Sequence, residues 1–204
     1  LDTLVKSIKK INFSKISAIA ATFGPGLIGG LIVGSSFAKG LSMSKNIKLI
    51  PVNHLQAHLL SPRLVSKIKF PYLCLLVSGG NTALVLVKNP KNFITLGSTI
   101  DDSAGECFDK VAKGLGLGYP GGPEIERLAI GGNIKRFELP MPLTKKNNCE
   151  FSFSGLKTAA LNTITKNKKT KIFLRDFSAS FQHTVFKVLE IKILNSIKLL
   201  QKEN

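Results

Sequence analysis

A chain of 204 residues that is 44% hydrophobic is long enough to bury a core and too apolar to stay disordered. No apolar run reaches the roughly 20 residues that cross a bilayer, because the greasiest stretch, 27–41, is broken by four glycines, Ser35, Ser36 and Lys39. The formal charge of +17 admits a polyanionic partner, but only four of the 29 basic residues are Arg, the residue suited to bidentate phosphate forks, and the lysines are spread along the chain.

Residues 4–11 have helical periodicity. The Ile- and Ala-rich run 16–22, closed by Phe23-Gly24-Pro25-Gly26, reads as a buried strand. A helix over 28–44 follows, expected to pack closely through Gly29, Gly30 and Gly34. Residues 48–52 form the returning strand, which makes a parallel pair with a helical crossover. Asn53 then suits the N-cap of a helix that starts at His54.

Further on, 72–77 and 82–87 read as strands joined by a Ser78-Gly79-Gly80-Asn81 hairpin turn, and 93–98 as a third strand. Helices are predicted over 103–114 and 124–130, separated by a rigid turn at 119–123. Residues 151–153 alternate like a short strand, Ser154 is the expected N-cap of a helix over 155–165, and one long helix or two run from 172 onward. Strand turns followed by helices indicate an α/β class.

Four places could carry chemistry. His54 and His58 are spaced i, i+4, which puts two imidazoles on one helix face, within reach of one metal ion; on spacing alone a solvated polar face is as good a reading. The run Leu76-Val77-Ser78-Gly79-Gly80-Asn81-Thr82 lets main chain approach a ligand, with Ser78 and Thr82 able to donate to phosphate oxygens, or it is a plain hairpin. Asp101, Asp102, Glu106 and Asp109 concentrate negative charge in a basic chain; the first two also suit the dipole of a helix starting near Ser103. Gly121-Gly122 with Glu126 places a second glycine turn beside a carboxylate. Gly24-Pro25-Gly26 is neither a P-loop nor a dinucleotide fingerprint. Cys74, Cys107 and Cys149 are scattered with no C-x-x-C, which fits a reducing cytosol; Cys74 and Cys107 are expected as buried structural thiols.

In order and spacing, the stretches 23–31, 52–62, 75–82, 99–116, 119–129 and 151–158 resemble the TsaD family, the catalytic subunit of tRNA threonylcarbamoyladenosine synthesis, formerly called O-sialoglycoprotein endopeptidase. The resemblance implies the fold of actin, sugar kinases and heat-shock ATPases: two α/β lobes around a ligand cleft, with 1–62 the remainder of the first lobe and 63–204 most of the second. It implies that His54 and His58 bind one divalent ion, iron or zinc. It places Leu76, Val77, Ser78, Gly79 and Gly80 around the nucleotide substrate, with Asp109, Gly122 and Glu126 as further contacts. Three family features are not in the sequence: a Gly-Ile-Glu-Thr-Ser-Cys-Asp loop, a Gly-Gly-Val-x-x-Asn loop and a later Asp that completes the metal site. The chain, which starts without Met and without a secretory signal, is therefore expected to be an internal piece that lacks the third protein ligand and is nearly inactive by itself.

The implied reaction transfers a threonylcarbamoyl group from threonylcarbamoyl-AMP to the tRNA adenosine beside the anticodon. The implied partners are tRNA and, in bacteria, TsaB and TsaE, in the cytoplasm and with no membrane. A second possibility is a non-catalytic scaffold subunit of the same fold, although such paralogues lack the His pair and the Ser-Gly-Gly turn that stand here. A metalloendopeptidase is the third; its H-E-x-x-H pattern needs a Glu where this chain has Leu55.

Overall fold

In a computed structural model that describes residues 12–202, the Ile- and Ala-rich run forms β1 (Ala18–Gly24), parallel to β2 (Lys48–Asn53). The 18-residue helix α1 (Ile28–Lys45) joins them and ends at Asn46, whose left-handed φ of 49° is one that Asn tolerates. The helix expected over 4–11 lies outside the described residues. Two short helices follow, α2 (His54–Leu60) and α3 (Pro62–Val65). Asn53 caps α2 as its side chain predicts, Oδ1 accepting from the Gln56 N–H at 3.1 Å.

The chain divides into two units between Ile68 and Lys69. Among the described residues of the first, Ala38 and Leu59 are the only buried apolar side chains. Helix α1 does not confine its apolar residues to one face: Ala38 is buried, while Ile28, Ile32, Val33 and Met43 are exposed. Gly29, Gly30 and Gly34 do not make the close contacts expected of them: a Cβ there would meet nothing within 4 Å. They lie on turns of α1 whose outer surface is open, so their small size is not used within the described chain.

The second unit begins with an antiparallel meander of β3 (Tyr72–Val77), β4 (Thr82–Asn89) and β5 (Asn92–Ser98), in the order β3-β4-β5. The turn at 78–81 closes the predicted hairpin, with Val77 opposite Thr82 and the Ser78 N–H donating to Asn81 O at 2.8 Å. Four helices follow: α4 (Ala104–Leu115), α5 (Gly121–Ala129), α6 (Ser154–Thr165) and α7 (Lys171–Lys202). The region from 172 is thus one helix of 32 residues. Helix α5 starts three residues before the sequence predicts; Pro123 is tolerated because it stands in the first turn, where its missing N–H is not needed. The strand expected at 151–153 is only a parallel bridge of Phe151 with Thr99, although Phe151 and Phe153 are fully buried.

The core of this unit lies between the helices and one face of the meander. Helix α7 supplies Phe173, Phe177, Phe181, Val185 and Val188 at helical spacing. Phe137 packs edge-on against Phe173 and Phe177, and Phe108 against Phe181 with ring centroids 5.1 Å apart. Burying each such ring contributes about 1.5–3 kcal/mol. Lys192 continues the same stripe and is also fully buried. Its ammonium donates to Leu143 O at 2.8 Å, Asn148 Oδ1 at 2.7 Å and Asn148 O at 3.1 Å, and burial pulls its pKa down. Cys107 is fully buried, its thiol pushed up to about 12 by desolvation and so inert, whereas Cys74 is only half-buried.

Candidate functional site

His54 and His58 stand one turn apart on α2 and are both exposed. Their Nε2 atoms are 3.3 Å apart, with the rings edge-to-face at 73°. Two nitrogens held by one tetrahedral ion at about 2.0–2.1 Å would stand about 3.3 Å apart, so the pair fits two positions of a single coordination sphere. No group of three His, Cys, Asp or Glu side chains that could hold a metal ion is assembled among the described residues.

In the second unit, the 76–80 segment is mounted on the start of α4. Ser103 caps that helix: its Oγ accepts from the Glu106 N–H at 3.1 Å and donates to Gly79 O at 2.7 Å. The Ala104 N–H donates to Thr82 Oγ1 at 2.8 Å. Thr82 is buried on the inner face of β4, so it serves as an acceptor for the helix and not, as the sequence suggested, as a donor to a phosphate. Leu76 and Ser78 are half-buried; Val77, Gly79 and Gly80 are exposed. A Cβ on Gly79 or Gly80 would meet nothing within 4 Å, so the tip of the turn is accessible. Ser78 Oγ accepts from the Asn81 N–H at 3.0 Å.

Asp109, on α4, accepts from the Gly121 N–H at 2.7 Å and so caps α5 from a neighbouring helix. Gly121 is buried in that contact: a Cβ there would lie 2.6 Å from Ala112 Cβ and 2.8 Å from Asp109 Cα. Gly122, next in sequence, faces open space, and Glu126, one turn on, is exposed. Asp109 and Glu106 also line a pocket of 310 Å³ with Lys110, Lys113 and Tyr119. Of the residues expected to contact substrate, the turn 76–80, Asp109 and Gly122 are tied together through α4, while Glu126 stands on the same helix as Gly122.

Asp101 and Asp102 act differently from expectation. Asp101 does not serve α4. Its Oδ1 accepts from the Phe153 N–H at 2.8 Å and the Ser154 N–H at 3.2 Å, and Ser152 Oγ donates to its Oδ2 at 2.5 Å. It therefore caps α6, and Ser154 is the first helical residue instead of the N-cap, with no side-chain cap bond of its own. Asp102 pairs with Lys157 of α6 and, at 3.4 Å, with Lys110 of α4. The Lys157 hydrogen bond, followed by its charge and then Lys110, holds the Asp102 carboxyl below the usual carboxylate range. Lys110 also meets Glu106 at 2.7 Å. Lys110 and Lys157 were not expected from the sequence, and Ser103 only as the start of a helix; the Ser103/Glu106 spacing of a capping box and the i, i+4 spacing of Glu106 and Lys110 were the local signals available.

The family profile described as "TsaD: tRNA N6-adenosine threonylcarbamoyltransferase" matches residues 2–204. A protein named tRNA N6-adenosine threonylcarbamoyltransferase from Wolbachia pipientis wMel is 47% identical over 207 residues, covering 100% of this chain and 62% of that protein. One of the same name from Rickettsia typhi is 51% identical over 190 residues, covering 93% of this chain and 49% of that protein. Another, from Orientia tsutsugamushi strain Boryong, is 49% identical over 193 residues, covering 94% and 56%. The chain spans less than two thirds of the length of each of these relatives. No helix among the described residues is long and apolar enough to cross a membrane. With a profile match across nearly all of its residues, the chain belongs to the TsaD family, whose fold is that of the actin-like ATPases and whose members are generally metal-dependent.

Proposed function

We propose that the natural protein carrying this chain transfers the threonylcarbamoyl group of threonylcarbamoyl-AMP to the exocyclic amine of the tRNA adenosine beside the anticodon. The observation that carries this reading is the alignment, at 47–51% identity, with relatives named for that transfer. The amine nitrogen forms a bond to the donor's carbonyl carbon, the bond from that carbon to the phosphate oxygen breaks, AMP leaves, and the amine gives up a proton. The amine is a weak nucleophile and AMP a good leaving group, so the protein's task is to position both reactants and stabilise the developing charge.

Gly79 and Gly80 let the donor approach the main chain, and Ser78, whose hydroxyl reaches Asn81 O only at 3.5 Å, turns its proton to a phosphate oxygen while still accepting from the Asn81 N–H. Asp109, Gly122 and Glu126 contact the nucleoside, with carboxylates that accept from sugar hydroxyls. Leu76 and Val77 complete the walls of that turn. His54 and His58 would hold a divalent ion, iron or zinc, which would supply Lewis acidity. Lysines spread over the surface hold the tRNA backbone, and the target base leaves its stack to be read. The two units belong to two lobes, and the protein works in the cytoplasm with threonylcarbamoyl-AMP, tRNA and the companion subunits TsaB and TsaE.

The test is transfer from threonylcarbamoyl-AMP to a tRNA transcript by the natural protein with its companion subunits, read by mass spectrometry of the nucleosides. Modified adenosine is expected with the parent. Gly79→Val, which projects into open space, is expected to keep the thermal midpoint and lose the transfer. Unmodified tRNA with the parent, or undiminished transfer by Gly79→Val, would overturn the reading.

A further inference from the structure

Helix α4 meets both segments proposed to hold the donor through one stripe of residues, Gly105, Asp109 and Ala112, spaced i, i+4 and i+7. At its first turn, a Cβ on Gly105 would lie 2.5 Å from Ser78 O, 2.7 Å from Ser78 C and 2.8 Å from Gly79 Cα. All three atoms are main chain, so nothing flexible could move aside. One turn further, about 6 Å along the axis, Asp109 holds the Gly121 N–H at 2.7 Å and Ala112 packs against Gly121. The turn is also fixed by Ser103, which donates to Gly79 O at 2.7 Å, and by Thr82, which accepts from the Ala104 N–H at 2.8 Å.

We propose that Gly105 is a positioning residue: its missing side chain seats the 78–80 turn flush on α4, and the helix then sets the distance from that turn to the Gly121-Gly122 turn. The inference rests on the donor site proposed above, and it gives Gly105 a role that acts through Ser78 and Gly79. Glycine inside a helix costs about 1 kcal/mol relative to alanine, so without this contact Gly105→Ala would stabilise the protein. With it, the turn must move outward. Displacing a positioned group by about 1 Å costs on the order of a hundredfold.

The experiment compares the natural protein with Gly105→Ala and Gly114→Ala, with its companion subunits present. Gly114 lies on the same helix, and its new Cβ would meet the flexible end of Leu161, 2.5 Å away, instead of main chain. Each protein is assayed for kcat and for KM towards threonylcarbamoyl-AMP, and for AMP binding by calorimetry. Gly105→Ala is expected to raise KM and weaken AMP by about tenfold to a hundredfold, with the larger change in KM rather than kcat. Gly114→Ala is expected to leave both within about twofold. If the parent transfers but Gly105→Ala leaves KM and AMP affinity unchanged, or Gly114→Ala weakens them equally, the positioning role falls and the transfer stands. If the parent does not transfer yet Gly105→Ala still weakens AMP, the positioning role stands and the assigned reaction falls. A parent that binds no AMP overturns both.

Discussion

Lys192 is a buried charge in the core of the second unit, and its loss should be felt in stability. It occupies a core position of α7 and is fully buried, yet it carries an ammonium. The group survives there because its three N–H bonds meet Leu143 O, Asn148 Oδ1 and Asn148 O, tying the 143–148 segment to the helix. Leu143 itself sits at φ 57°, a left-handed conformation that costs a non-glycine residue about 1–2 kcal/mol. Lys192→Met keeps the apolar stem and removes every donor. Leu143 O keeps its bond from the Lys146 N–H at 3.1 Å and Asn148 O its bond from Asn195 Nδ2 at 3.1 Å, whereas Asn148 Oδ1 loses its donor. An acceptor left unpaired costs about 1–3 kcal/mol, and relief of the ammonium's own desolvation, visible in its lowered pKa, offsets part of that. The net expectation is about 1–2 kcal/mol of lost stability. At about 2–4 °C per kcal/mol for a chain of this size, the thermal midpoint falls by about 2–8 °C. Far-UV circular dichroism of thermal unfolding measures it, with Lys187→Met as the control. Lys187 makes only an exposed pair with Glu190 at 2.6 Å, and pairs of that kind contribute about 0–1 kcal/mol. A Lys192→Met midpoint equal to the parent's or above it would refute the reasoning, since the ammonium's burial would then cost as much as its bonds return.

Three further outcomes follow from the same geometry. Asp101→Ala removes the cap of α6 and should cost about 1–2 kcal/mol, read as a lower urea midpoint; no shift would mean that Ser154 can cap the helix unaided. Asp176 is held down to about 2, first by Arg136, then by Arg175 and the Asn133 N–H. A depressed carboxyl adds stability that is fully present above the ordinary carboxylate range and lost as pH falls through about 2. Asp176→Asn should therefore lower the midpoint near neutrality and flatten the acid limb of the stability profile, and an unchanged acid limb would sink that assignment. His54→Ala and His58→Ala should each strip the divalent metal from the natural protein, seen by elemental analysis, and retention of a full complement would place the ion elsewhere.

Most elements could be read from the sequence because their signals are local. The short apolar runs 72–77 and 82–87 around Ser78-Gly79-Gly80-Asn81 give β3, β4 and their turn, and Asn53 gives the start of α2. What could not be read are partners distant in sequence. Ser154 looks like an N-cap, but Asp101, 53 residues earlier, takes the N–H of Ser154 itself. Thr82 looks like a ligand donor, but the start of α4 takes its oxygen. Lys192 looks like a solvated lysine, because nothing local shows that the 143–148 carbonyls would surround it. Of the candidate site, the nearness of His54 and His58 was legible because i, i+4 spacing puts both rings on one face of α2, where their Nε2 atoms stand 3.3 Å apart. The tie between the 76–80 turn and α4 was not, since it depends on Gly105 being a glycine that touches another segment.

Metal-dependent threonylcarbamoyl transfer to tRNA is read by nucleoside mass spectrometry of tRNA from cells whose sole source of this activity is the natural protein. Threonylcarbamoyladenosine is expected beside the anticodon with the parent, and unmodified adenosine with the His54→Ala, His58→Ala double variant at equal protein abundance. Full modification with the double variant, or none with the parent, would contradict it.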